Sequence, residues 1–172
     1  AAYIGRARVV PLRNMGSAIS PNTSFSVLQG IETLPLRMDR ICENTQEVAE
    51  HLNNHDQVEW VRYAGLSDDP YKALADKYMG GRASGILSFG VKGGLESATK
   101  FIDALNLVTR LVNIGDAKSL ACHPASTTHR QLAPEELASS GVTEDLVRLS
   151  IGIENIDDIK EDIDQALAAS KK

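Results

Sequence analysis

From Val147 to Gly152 the chain reads Val-Arg-Leu-Ser-Ile-Gly, so that Val147, Leu149 and Ile151 alternate with Arg148, Ser150 and Gly152. Alternation of this kind belongs to an extended strand with one face turned to a core and the other turned away. Arg148 falls on the outward set. Its guanidinium is planar and permanently charged, a fork suited to holding a carboxylate or phosphate by two bonds at once. Taken alone, an outward arginine on a strand is more often a solvated residue or half of a surface ion pair. Upstream, Leu111 to Leu132 reads LVNIGDAKSLACHPASTTHRQL, dense in small, hydroxyl and imidazole groups. These two stretches together are the part of the chain that reads as a site.

The remaining pattern alternates helices and strands. Residues 1–15 read as helical up to Gly16, despite Gly5 and Pro11. Ser20 and Pro21 supply a cap and a first-turn proline for a long helix reaching about Asn53, bent near Gly30 and Pro35. Val58 to Tyr63 and Gly85 to Val91 read as strands, the second with Leu87, Phe89 and Val91 on one face. A short helix after Asp69-Pro70 runs to Met79. Another follows Gly93-Gly94, with Leu95, Ala98, Ile102 and Leu105 as its stripe. Extended segments at 107–114 and 119–122 flank Gly115-Asp116, and a short helix occupies Pro134 to Ser139. The last helix runs from Ile156 to about Ala169, with acidic residues near its start where the helix dipole favours them. The expected fold is α+β: a small sheet with helices on one face, preceded by a long bent helix. Residues 1–54 form lead-in and inter-domain helices and residues 55–172 form the domain that carries the site.

With 172 residues, the chain is long enough to bury roughly 70% of its unfolded surface without staples. A net charge of −5, with no basic run beyond Lys171-Lys172, argues against a nucleic-acid surface. No apolar stretch approaches the ~18 residues of a membrane span, and no secretory leader is legible. Cys42 and Cys122 form no metal or redox motif and read as buried thiols in a reducing cytoplasm. The opening, AAYIGRARVVPLRN, begins without methionine and in mid-pattern, so the chain reads as part of a larger one.

HPASTTH followed by VRLSIGIE, joined through PEEL and GV, resembles the C-terminal end of the pyridoxal-phosphate enzymes of cysteine and methionine metabolism. That family includes cystathionine synthases and lyases and methionine lyase. NIGDAKSLACHPASTTHRQL, with LQGIETLPLRMDR near the start, is most similar to its branch of O-acetylhomoserine sulfhydrylases, and the resemblance covers essentially the whole chain. It implies a mostly antiparallel sheet, a missing N-terminal cofactor domain, a homotetrameric parent and an amino-acid substrate. Pyridoxal phosphate would be the electron sink of that chemistry. Arg148 matches the arginine that pairs with the substrate carboxylate. Asn113 matches a second carboxylate contact, often serine in relatives, and Thr128 a hydroxyl lining the substrate pocket. Thr128 reads equally as a turn threonine, and Ser126 and Thr127 as loop residues.

Ser97-Ala98-Thr99-Lys100 fits the family's cofactor-lysine string, Ser-x-Thr-Lys, but lies inside an amphipathic helix with no phosphate-binding motif nearby. It reads as coincidence, so no cofactor-binding residue is assigned here and the chain alone is expected to be inactive. His123 and His129 lack a ligand partner and read as structural or polar-loop residues. His51 and His55 read as solvated, and no metal site is expected. Two other readings stay open: another member of the same family, or a free-standing amino-acid-binding module. A structural interaction domain, indifferent to Arg148, stands further off.

Overall fold

The structure, a computed structural model, describes residues 1–171; Lys172, the last residue of the expected site domain, lies outside them. The chain forms two units, one from Ala1 to Pro35 and one from Leu36 onward.

In the first unit, α1 (Ala2–Ala7) passes through a π-helical turn (Arg8–Leu12) into α2 (Arg13–Met15). Pro11 sits in that turn, where a wider hydrogen-bond ring tolerates its missing N–H. Gly16 then stops the helix at φ 65°, a left-handed conformation open to glycine at no steric cost. Helix α3 (Pro21–Glu32) starts as expected, with Ser20 Oγ accepting from the Thr23 amide at 3.1 Å and Pro21 in the first turn. These helices bury none of their residues and expose Tyr3, Ile4, Phe25, Leu28 and Ile31. The expected bend takes the form of a break at Thr33, after which α4 (Leu34–Asn53) begins.

In the second unit, α4 buries Ile41, Cys42, Asn44, Thr45, Val48, Ala49 and Leu52 along one side. The sheet is built from β1 (Val58–Arg62), β2 (Ile86–Val91), β3 (Thr109–Arg110), β4 (Leu120–Cys122) and β5 (Leu146–Ser150), in the order β1-β2-β5-β4-β3. All pairings are antiparallel except β3 with β4. Helices α5 (Lys72–Met79), α6 (Gly94–Ala104), α7 (Pro134–Ser139) and α8 (Ile156–Ala169) complete it. The core joins Leu87, Phe89, Val91, Val147 and Leu149 of the sheet to Leu52 of α4, Phe101 of α6 and Ile163 of α8. Phe89 and Phe101 meet edge to face with centroids 5.5 Å apart.

Two sequence expectations need correction. The buried stripe of α6 is Ser97, Ala98, Phe101 and Ile102, while Leu95 is 44% exposed. A stripe centred on Phe101 wins because that ring fills the space over Phe89. The outward face of β5 is not all exposed either. Ser150 is buried, flanked across the strands by Ile86 and Leu120, whose larger side chains share its face. Asp162 of α8, also buried, accepts from the amides of Asn106, Leu107 and Val108 at 2.9, 3.0 and 2.9 Å. It thereby fixes the chain where it leaves α6 for β3.

Candidate functional site

Arg148 sits in the middle of the central strand, with Ser88 of β2 and Cys122 of β4 as its Cα partners. Directly opposed residues share a face, and Ser88 is in turn opposed by Arg62. The outer face therefore carries a polar row: Arg62, Ser88, Arg148, Cys122. Val147 and Leu149 are fully buried on the other side. The Arg148 side chain is half-buried, and its Nη1 and Nη2 both donate to the Asn113 carbonyl, at 3.4 and 3.3 Å. Both contacts are longer than an ordinary N–H···O bond. The guanidinium also lies by the Cys122 thiol, whose pKa is raised by burial against the lowering pull of this charge. Among the described residues Arg148 makes no ion pair.

Asn113 reaches the site through its backbone. Its side chain is occupied in its own turn, Oδ1 accepting from the Ile114 amide at 2.9 Å and Nδ2 donating to Asp116 Oδ2 at 3.3 Å. Thr128 stands apart: its Oγ1 is 2.8 Å from His129 Nδ1 and its carbonyl accepts from Gln131 at 3.4 Å. No hydrogen bond joins it to Arg148 or Asn113 among the described residues. Thr127 Oγ1 donates to the His123 carbonyl at 2.7 Å, closing the turn. The structure thus brings Arg148 and Asn113 together and leaves Thr128 on an exposed turn. His123 is buried with both ring nitrogens engaged, Nε2 at 2.7 Å from the Glu144 carbonyl and Nδ1 at 2.8 Å from Ser126 Oγ. A carbonyl only accepts, so Nε2 carries a proton and the ring works as a strut.

Sequence reading passed over a polar cluster at the end of β5. Glu154 accepts from the Ser119 amide at 2.6 Å through Oε1 and from Ser119 Oγ at 2.9 Å through Oε2. Ser119 Oγ accepts from the Gly152 amide at 2.9 Å, and Asn44 Nδ2 donates to the carbonyls of Gly152 and Glu154, both at 3.0 Å. Only the glutamate ending VRLSIGIE pointed to it.

Lys100 does not fit a lysine that binds a cofactor covalently. It is exposed on α6, with Nζ 3.0 Å from Glu96 Oε1, whereas such an amine needs desolvation to lose its proton near neutral pH. His51 and His55 are not solvated as expected but tied to α8, with Nε2 atoms 2.6 and 3.9 Å from Asp164 Oδ1. That contact spans more than a hundred residues of sequence, which is why periodicity missed it. Cys42 and Cys122 are free and buried, and burial raises both thiol pKa values. Among the described residues no three His, Cys, Asp or Glu side chains are grouped to hold a metal. No described helix is long and apolar enough to cross a membrane.

The family model described as Cys/Met metabolism PLP-dependent enzyme matches residues 4–168. The O-acetyl-L-homoserine sulfhydrylase of Leptospira meyeri is 56% identical over 96% of this chain and 38% of its own length. The L-methionine gamma-lyase of Pseudomonas putida is 46% identical over 98% of this chain and 42% of its own. A crystal structure from Campylobacter jejuni, described as an O-acetylhomoserine (thiol)-lyase with N'-pyridoxyl-lysine-5'-monophosphate, superposes with a TM-score of 0.90. It is 40% identical, covering 97% of this chain and 40% of that one. The chain therefore spans about two-fifths of the length of these relatives.

Proposed function

This chain belongs to the pyridoxal-phosphate-dependent enzymes of cysteine and methionine metabolism, and on that premise we propose that it is the substrate-holding C-terminal part of an O-acetylhomoserine sulfhydrylase. The parent, a cytoplasmic homo-oligomer of methionine biosynthesis, replaces acetate by sulfide to give homocysteine. The cofactor, bound by the part of the parent outside this chain, supplies the electron sink for breaking the acetate bond. Residues 1–54 lead in from the cofactor domain and residues 55–172 hold the amino acid. Alone, the chain turns nothing over.

The observation that carries this reading is Arg148 itself: a fork on the outer face of the central strand, facing a carbonyl and a thiol and, among the described residues, no carboxylate. Its bonds to Asn113 are long and neutral-acceptor bonds, whereas a carboxylate offers two short, charge-assisted ones. An incoming α-carboxylate displaces the weaker contacts. Arg148→Lys in the complete enzyme keeps the charge and loses the fork. Loss of one such bond, ~1.5–3 kcal/mol, raises the apparent KM about ten- to hundredfold. An unchanged KM removes Arg148 from the site.

The 46% identity to a methionine gamma-lyase supports a second reading, in which the parent eliminates a thiol from methionine. Assaying the complete enzyme with O-acetylhomoserine plus sulfide and, separately, with methionine distinguishes them: homocysteine from the first favours replacement, 2-oxobutyrate from the second favours elimination.

A further inference from the structure

The segment that brings Asn113 to Arg148 has little to hold it. Residues 111–116 are exposed or half-exposed, and they lie between β3 and β4 without belonging to either. The Asn113 turn bonds only to itself on the side-chain side. Where the Asn113 carbonyl stands, and so how the Arg148 fork is aimed, depends on how the far end of the segment is fastened.

That fastening lies at Ala117 to Ser119. The Ile153 amide donates to the Ala117 carbonyl at 3.0 Å. Gly152 lies flat against the same stretch: a Cβ there would meet Ala117 O at 2.3 Å and the Lys118 carbonyl carbon at 2.6 Å. Ser119 is fully buried, and its amide and hydroxyl both donate to the Glu154 carboxylate, at 2.6 and 2.9 Å. Asn44, reaching across from α4, holds the backbone carbonyl of Glu154 at 3.0 Å. The backbone of Glu154 is anchored on one side while its carboxylate grips Ser119 on the other.

We infer that Glu154 and Ser119 are positioning residues for the substrate carboxylate, acting through the 111–118 segment on Asn113 and Arg148; this rests on the carboxylate-holding role of Arg148 proposed above. The bonds to Glu154 are charge-assisted and so resist exchange with water better than neutral ones. Neither residue touches the amino acid. Their effect is orientation, and a shift of ~1 Å in a gripping group costs on the order of a hundredfold.

The test uses the complete enzyme and two inhibitors, norleucine and pentylamine, which differ only by the carboxylate. Glu154→Ala and Ser119→Ala raise the inhibition constant of norleucine on the order of ten- to hundredfold, while that of pentylamine stays within about twofold. Equal losses for the two inhibitors overturn the inference in favour of a general structural role, and no loss for either overturns it outright. Should Glu154→Ala not fold, Glu154→Gln decides. It keeps an acceptor for the Ser119 amide but turns a donor towards Ser119 Oγ, so norleucine weakens a fewfold and pentylamine does not. Arg148→Lys separates the two claims. If it leaves norleucine binding unchanged, the carboxylate-holding role fails; if it weakens binding while the Glu154 and Ser119 variants do not, only the positioning role fails.

Discussion

Asp162→Ala should cost this chain a large part of its stability, and the structure allows the size to be worked out. The carboxylate is 6% exposed and accepts three backbone N–H groups, from Asn106, Leu107 and Val108, besides a bond from Gln165 at 3.0 Å. A hydrogen bond to a charged group contributes ~1.5–3 kcal/mol. Val108 is buried, so its orphaned amide bears the full penalty; Asn106 and Leu107 are exposed residues whose amides water can partly satisfy. The sum for alanine is about 3–5 kcal/mol. Asparagine is the informative comparison. Placed with its oxygen at the Oδ2 position, it keeps the bonds from Leu107 and Val108 and turns an amide donor towards the Asn106 N–H. Two bonds are lost, those that Oδ1 accepts from Asn106 and Gln165, at about 2–3 kcal/mol. Urea unfolding followed by circular dichroism, at constant m, measures both. An alanine cost under about 1 kcal/mol, or asparagine as costly as alanine, refutes the view that this carboxylate works as a multiple acceptor.

Three further outcomes follow from local geometry. Gly152→Ala forces a Cβ against the backbone of Ala117 and Lys118 and should destabilise by ~1–3 kcal/mol in the same urea assay; an unmoved midpoint contradicts the packing. Ser150 Oγ is buried with no hydrogen-bond partner among the described residues, so Ser150→Ala should be neutral or stabilising by up to about 1 kcal/mol, and a clear loss would show that the hydroxyl is satisfied. The His55 pKa is lowered from 6.5, because burial outweighs the attraction of Asp164, with His51 and Lys171 also lowering it and Asp56 raising it. The unfolded chain therefore takes up a proton more readily than the folded one, and stability present above about pH 6.5 is lost as the pH falls towards the folded pKa. His55→Asn, whose Oδ1 can still accept from the Gln57 amide as Nδ1 does at 3.1 Å, should flatten thermal stability between pH 7 and 5; an unchanged slope assigns the titration elsewhere.

Local features carried well from sequence to structure, and contacts between distant segments did not. The alternation around Arg148 was enough to put Val147 and Leu149 in the core and the guanidinium on the opposite face. Period two reports which face a residue occupies but not how well that face is covered, and Ser150 went wrong for that reason. Ser20 and Gly16 marked helix ends correctly because capping depends on a few consecutive residues. The two-residue strand β3 pairs parallel to β4, and a strand so short leaves no periodic trace. The tether of His51 to Asp164 and the grip of Glu154 on Ser119 join segments far apart in the chain. Nothing in the local spacing of those residues marks them as partners.

Two other contacts, those of Asp162 and Glu154, bear on how an exposed loop could serve the proposed carboxylate site. The chain between α6 and β4 is pinned at its start, where Asp162 takes the amides of 106–108, and at its finish, where Glu154 takes Ser119. Between these points β3 lies along β4, with the Thr109 amide on the Ser119 carbonyl and the Leu111 amide on the Ala121 carbonyl, at 3.0 and 3.1 Å. Only the stretch from Val112 to Asp116 is left without such bonds to the sheet, and it is the stretch that presents Asn113. One end is set by the buried Asp162 carboxylate and the other by the half-buried Glu154 carboxylate on the buried Ser119, while the middle is held to Arg148 by two long contacts of the kind a ligand can replace at little cost. A rigid frame around a short adjustable stretch is what the carboxylate grip proposed above calls for: the frame would fix where the fork points, and the stretch would yield as the carboxylate enters.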